Sequence, residues 1–148
     1  MRLRFVDNLY LLIVFAALAL PAAAHAFAGM VKTVAGDATV IRSGQTLPLA
    51  VGMEINGADV LKTGRHGRLG LIFSDDTLIT MGPDTEIAID DYLFEPDQKR
   101  LSFVMRLIHG TVSFLSGQIA KLSPESVRLV MPAATIGVRG THVLMKVD

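Results

Sequence analysis

Turn formers punctuate this chain more closely than any helical fold allows. From Gly29 onward, Gly36, Gly44, Gly52, Gly57, Gly64, Gly82-Pro83, Pro96, Gly110, Gly117 and Pro132 each follow a short apolar or alternating run. Glycine supplies positive φ and proline fixes φ negative, so each marks a reversal or an element end. What fits between them is strands of four to eight residues. In "TEIAID" the period is two: Ile87 and Ile89 fall on one face, and Glu86, Ala88 and Asp90 on the other. The pattern predicts an all-β domain of short strands and tight turns, wound as a β-solenoid, a β-sandwich or a small barrel. "GQIAKLSPES" is the one stretch that reads as helical, for a single short turn. "LGLIF" and "FVMRLI" are dense enough in apolar residues to predict strands covered on both faces. The mixed-charge stretch "DDYLFEPDQKR", residues 90–100, reads as an exposed loop.

The first 26 residues read differently. Arg2 and Arg4 precede an unbroken apolar run over residues 9–20, then Pro21 and small residues ending in Ala24-His25-Ala26. That is the layout of a cleaved secretory signal peptide. The run of twelve residues is short of the roughly 20 that a membrane-spanning helix needs. The expectation is a signal peptide over residues 1–26 and one domain over residues 27–148, placed in the periplasm or secreted. Membrane contact then arises only if the apolar segment is retained.

The chain has fourteen Lys and Arg and fourteen Asp and Glu. Arg2, Arg4 and Asp7 precede Phe27, leaving twelve against thirteen and a net charge near −1. Such a balance offers no basic field for nucleic acid. The absence of cysteine excludes disulfide staples, thiol chemistry and lipid anchoring at a cysteine. The domain must hold itself together by its apolar core, which about 120 residues can supply.

Catalytic patterns find no footing. His66, His109 and His142 are never within four residues of one another, so no pair has the spacing of a helical metal site. No serine sits in a G-x-S-x-G elbow. The carboxylate pairs Asp75-Asp76 and Asp90-Asp91 are adjacent in strand-rich sequence, where neighbours face opposite ways and cannot flank one glycosidic bond. "IFSDDTLIT" reads instead as strand, corner, strand. "GVRGT" lacks phosphate-loop spacing and precedes a strand rather than a helix. The expectation is a non-enzymatic binding domain with no cofactor and no metal.

Taken in order, Gly29-Met30-Val31, "LAVGMEINGADVLKTG", "GRLGLIFSDDTLITMGPDTEI", "LIHGTVSF" and "MPAATIGVRGTHVLMKV" resemble a FecR-type domain across residues 30–147. That family's pattern contains a G-D-x-[VIL]-x-T step, an Asp-Gly-Ser/Thr corner, an L-x-x-G-x-[VL] strand and a closing T-P-x-A-x-x-G-V-R-G-T. The matching positions are Asp59, Thr63, Asp75, Asp76, Gly137, Arg139, Gly140 and Thr141. Two departures stand out: Asp75-Asp76-Thr77 replaces Asp-Gly-Thr, which puts an aspartate where positive φ is required, and Met131-Pro132 replaces Thr-Pro. The regulators that name the family carry a sigma-binding segment ahead of a membrane helix. About eight residues precede the apolar run here, so the resemblance implies the extracytoplasmic domain and not sigma regulation.

Arg139 between Gly137 and Gly140 has two readings. It pairs with a carboxylate such as Asp59 or Asp75 and locks the last strand down, with both glycines allowing a tight crossing, or it stands exposed and meets an anionic partner. For the whole protein the expected role is an envelope signalling or binding module acting through protein contacts. The alternative is a scaffold or adhesin on peptidoglycan or surface polysaccharide. Open edge strands would permit homo-oligomers.

Overall fold

The computed structural model describes residues 27–140 and 142–148. The signal-peptide expectation for residues 1–26, and Thr141, lie outside the described residues. Twelve strands follow in order: β1 (Phe27–Ala35), β2 (Ala38–Arg42), β3 (Gln45–Pro48), β4 (Glu54–Asn56), β5 (Val60–Thr63), β6 (Arg68–Phe73), β7 (Leu78–Met81), β8 (Glu86–Glu95), β9 (Arg100–Leu115), β10 (Val127–Met131), β11 (Ala134–Gly137) and β12 (His142–Val147). The helical stretch is as expected, with α1 (Gln118–Leu122) and single 3-10 turns at Pro96–Gln98 and Pro124–Ser126.

These strands form one curled sheet in the order β3-β2-β5-β8-β9-β7-β6-β1-β4, with β10 and β12 added along β9 and β11 along β10. Every pairing is antiparallel except β9 with β10. A solenoid would stack parallel coils and a sandwich would pack two sheets; this is one curled, almost wholly antiparallel sheet, a half-barrel folded over a single core. At the centre of the core Phe103 lies 4.9–5.5 Å, ring centre to ring centre, from Phe73, Tyr92 and Phe114.

The fold turns on β9, whose first half joins β8 and β10 and whose second half joins β7 and β12. Its buried positions are odd up to Leu107 and even from Val112, so the inward phase reverses at Gly110. That residue has φ of 100°, and a Cβ there would stand 2.3 Å from Thr85 Oγ1 and 2.5 Å from Thr85 Cα. Only glycine fits a bend with that φ and that approach.

Two expectations are corrected. Residues 90–100 do not form a loop: β8 continues to Glu95, and the reversal is confined to Pro96–Gln98 and Lys99 before β9 resumes at Arg100. Of the charges that suggested a loop, Asp90 and Asp91 sit on an exposed bulge of β8, bonded to Arg106 and Ser102 respectively. Nor are "LGLIF" and "FVMRLI" covered on both faces. Leu69, Leu71, Phe73, Phe103, Met105 and Leu107 are buried, while Ile72, Val104 and Ile108 on the other face are half-exposed. The sheet has one interior, and the second apolar face is surface.

Candidate functional site

Asp59 sits in the turn between β4 and β5 and is 1% exposed. Arg42, at the end of β2, donates to it from Nε at 2.9 Å and from Nη2 at 2.6 Å, while the Asn56 amide adds a third bond at 2.8 Å. Nη2 also reaches the Glu54 carbonyl at 2.9 Å, so the guanidinium ties the β4–β5 turn to β2. The hydrogen bonds to Asp59 hold the Arg42 pKa above its ordinary value, against the opposing effect of burial. The G-A-D-V-L-K-T step is thus a structural clamp, with its aspartate spent inside it.

Asp75 is fully buried in the β6–β7 corner and forms no ion pair among the described residues. Its carboxylate accepts from Tyr92 Oη at 3.1 Å, Thr77 Oγ1 at 2.8 Å, and the amides of Thr77 and Ile119 at 3.3 and 3.1 Å. Tyr92 Oη in turn accepts from the Asp75 amide at 3.0 Å. Burial first, and the Asp75 carboxylate second, push the Tyr92 phenol pKa above its ordinary value. Gly117 closes the hub: its amide donates to Thr77 Oγ1, and a Cβ on it would stand 2.2 Å from the Asp75 carbonyl oxygen. Asp76 takes the positive φ expected of it, 65°, and accepts from Gln118 Nε2 at 3.0 Å, which offsets part of the conformational cost.

Thr63 closes a third polar knot. Its hydroxyl donates to the Gly82 carbonyl at 2.6 Å and accepts from the Thr85 amide at 3.0 Å. Thr85 Oγ1 accepts from the Thr111 amide at 3.0 Å, which fastens the β7–β8 turn to β9 beside its bend.

The lock expected of Arg139 is not formed. Asp59 belongs to Arg42 and Asp75 to Tyr92 and Thr77, whereas Arg139 is exposed and makes no ion pair among the described residues. It borders an open cleft of about 600 Å³ with Pro124, Glu125, Gly137 and Val138. The hydrogen bond from Ser123, and to a lesser degree the charge of Arg139, hold the Glu125 carboxyl below its ordinary range. An acid facing the cleft beside the arginine makes it a poor anion site. Gly140 has φ of 67°, but a Cβ at either Gly137 or Gly140 would meet nothing within 4 Å, so no tight crossing occurs there. Of the sequence-selected positions, Asp59, Thr63 and Asp75 mark three separate buried knots, Asp76 lies on the rim of the Asp75 corner, and Gly137, Arg139 and Gly140 form a surface turn. Sequence reasoning missed Arg42, Tyr92 and Thr85; Gly110 and Gly117 were marked only as turn formers, without the close approaches to Thr85 and Asp75 that need them.

The surface feature with binding character lies elsewhere, on the outer face of the sheet half formed by β4, β1, β6, β7, β9 and β12. Successive pairings place Glu54 opposite Met30, Met30 opposite Ile72, Ile72 opposite Leu78, Leu78 opposite Leu115 and Leu115 opposite His142. Directly paired residues share a face, so these six make one continuous transverse row with four apolar side chains at its centre. Phe27, Met30, Leu115 and Leu144, four of the seven exposed large apolar side chains among the described residues, are on this face. Phe27, Met30 and Ile72 also line an open depression of about 330 Å³.

Among the described residues no helix is long and apolar enough to cross a membrane. The comparisons with curated proteins and with solved structures find no match. The family model described as FecR protein matches residues 59–148, from the clamp aspartate through the Asp75 corner and the bend of β9 to the last strand. That family is regulatory and envelope-associated. Since the match spans more than half of the chain, the protein belongs to the FecR protein family.

Proposed function

We propose that this protein is a non-enzymatic binding module of the bacterial cell envelope, exported by the segment before Phe27 and working through protein–protein contacts. The observation that carries this reading is the apolar row from Met30 to Leu115 on an open sheet face. Exposed contiguous apolar surface with a polar rim is the physical mark of a protein contact site. The distribution of polar chemistry supports it: Asp59, Asp75, Thr63 and Thr85 are each spent on bonds within the fold. The regulatory character of the family points the same way.

The test is capture from intact cells by cross-linking, comparing the protein with a Leu78→Arg variant. A charge at the centre of the row removes the contact while the buried face of β7, carried by Ile79 and Met81, stays intact. The reading predicts a defined envelope protein captured by the parent and lost with the variant. Equal capture by both contradicts it.

A further inference from the structure

We propose that the row is a self-association surface: two copies of the chain pack their β4-β1-β6-β7-β9-β12 faces together about a two-fold axis that lies in the interface, parallel to the strands, between Ile72 and Leu78. This rests on reading that face as a binding surface and names what it binds. Across the sheet the row runs Glu54, Met30, Ile72, Leu78, Leu115, His142. Rotation by half a turn about that axis lays Ile72 on Leu78 of the second copy, Met30 on Leu115, and Glu54 on His142. Apolar groups meet apolar groups and an acid meets a base at both ends, the self-complementarity that a two-fold interface demands. A surface shaped for a foreign protein has no reason to set an acid and an imidazole at equal distances from its own midpoint.

On either side of the row lie Leu144 with Ser113 at the β12 end and Phe27 with Asn56 at the β4 end, on opposite sides, and the rotation keeps each on its own side. Six strands about 4.8 Å apart and three rows about 7 Å apart give a footprint of roughly 500 Å² per copy. The pair then buries about 1,000 Å² or somewhat more, the lower bound for a specific interface, so the dimer is weak and depends on concentration in the micromolar range.

Because the protein has no cysteine, the register can be read directly with Glu54→Cys and His142→Cys variants and a short bismaleimide cross-linker, the facing sheets being about 10 Å apart and too far for a direct disulfide. Each variant alone has its two thiols at opposite ends of the row, roughly 24 Å apart, and stays monomeric on gels. A mixture of the two gives cross-linked dimer. Sedimentation velocity of the unmodified protein shows a monomer–dimer equilibrium that Leu78→Arg weakens at least tenfold with its thermal midpoint unchanged. A monomer at all concentrations, or cross-linking of the single variants as readily as of the mixture, overturns the proposal. So does a Leu78→Arg-sensitive envelope complex holding one copy of the chain, an outcome that leaves the protein-contact reading of the face standing.

Discussion

Arg42 and Asp59, seventeen residues apart, are joined by two hydrogen bonds that match the two nitrogens of a guanidinium edge to the two oxygens of a carboxylate. The aspartate is almost wholly buried and the arginine is a quarter exposed, so removing the cation leaves a carboxylate without its charge partner inside the fold. Arg42→Ala should cost about 3–5 kcal/mol. Arg139→Ala, at an exposed side chain with no ion pair among the described residues, should stay within about 0.5 kcal/mol of the parent. Urea-unfolding midpoints of the two variants check this contrast, and an equal loss in both would mean that Arg139 carries a lock after all.

Tyr92 ties the β8 strand to the β6–β7 corner through Asp75. Its phenol pKa is raised by burial and by the Asp75 carboxylate, so the folded state holds the proton more tightly than the unfolded chain does. The stability linked to this group is complete below the unfolded phenol value of about 10 and is lost as pH rises through and beyond it. Phenolate absorbance followed against pH, with Tyr92→Phe as reference, should show Tyr92 ionising only as the fold opens. Ionisation near pH 10 in an intact fold would refute the buried bond. Tyr92→Phe should itself cost about 1–3 kcal/mol, since the buried Asp75 amide loses its partner.

Glycines in this chain are not equivalent. Gly110→Ala adds a Cβ at positive φ and pushes it onto Thr85, the residue that anchors the β7–β8 turn. The loss should exceed about 2 kcal/mol, combining left-handed strain with displaced packing. Gly137→Ala, in the closing motif, meets open space and has no positive φ, and should be neutral within about 0.5 kcal/mol. Thermal unfolding of both variants measures the difference.

The strand content, the short helix and the family resemblance were legible because they depend on local signals: Gly and Pro spacing, period-two alternation, and ordered motifs. The positive φ at Asp76 was legible for the same reason, from the missing glycine in the corner. Partnerships were not. Arg42 reaches Asp59 across seventeen residues, and Tyr92 reaches Asp75 across the same span in a different part of the sheet; the sequence between them says nothing of which strands come together. The transverse row was hidden for a related reason. Met30, Ile72, Leu78 and Leu115 each look like an ordinary strand residue, and only the register of four strands aligns them. The density of "LGLIF" did carry the information that a second apolar face exists, but in the fold that face is surface.

Whether the outer face of the β4-to-β12 sheet half makes the protein's contacts is read by placing a photo-reactive residue at Leu115 and, separately, at Val130 on the outer face of the other half of the sheet, then irradiating intact cells. A discrete protein adduct is expected from position 115 and none from position 130. Adducts from position 130 alone, or from neither position, would contradict a contact role for that face.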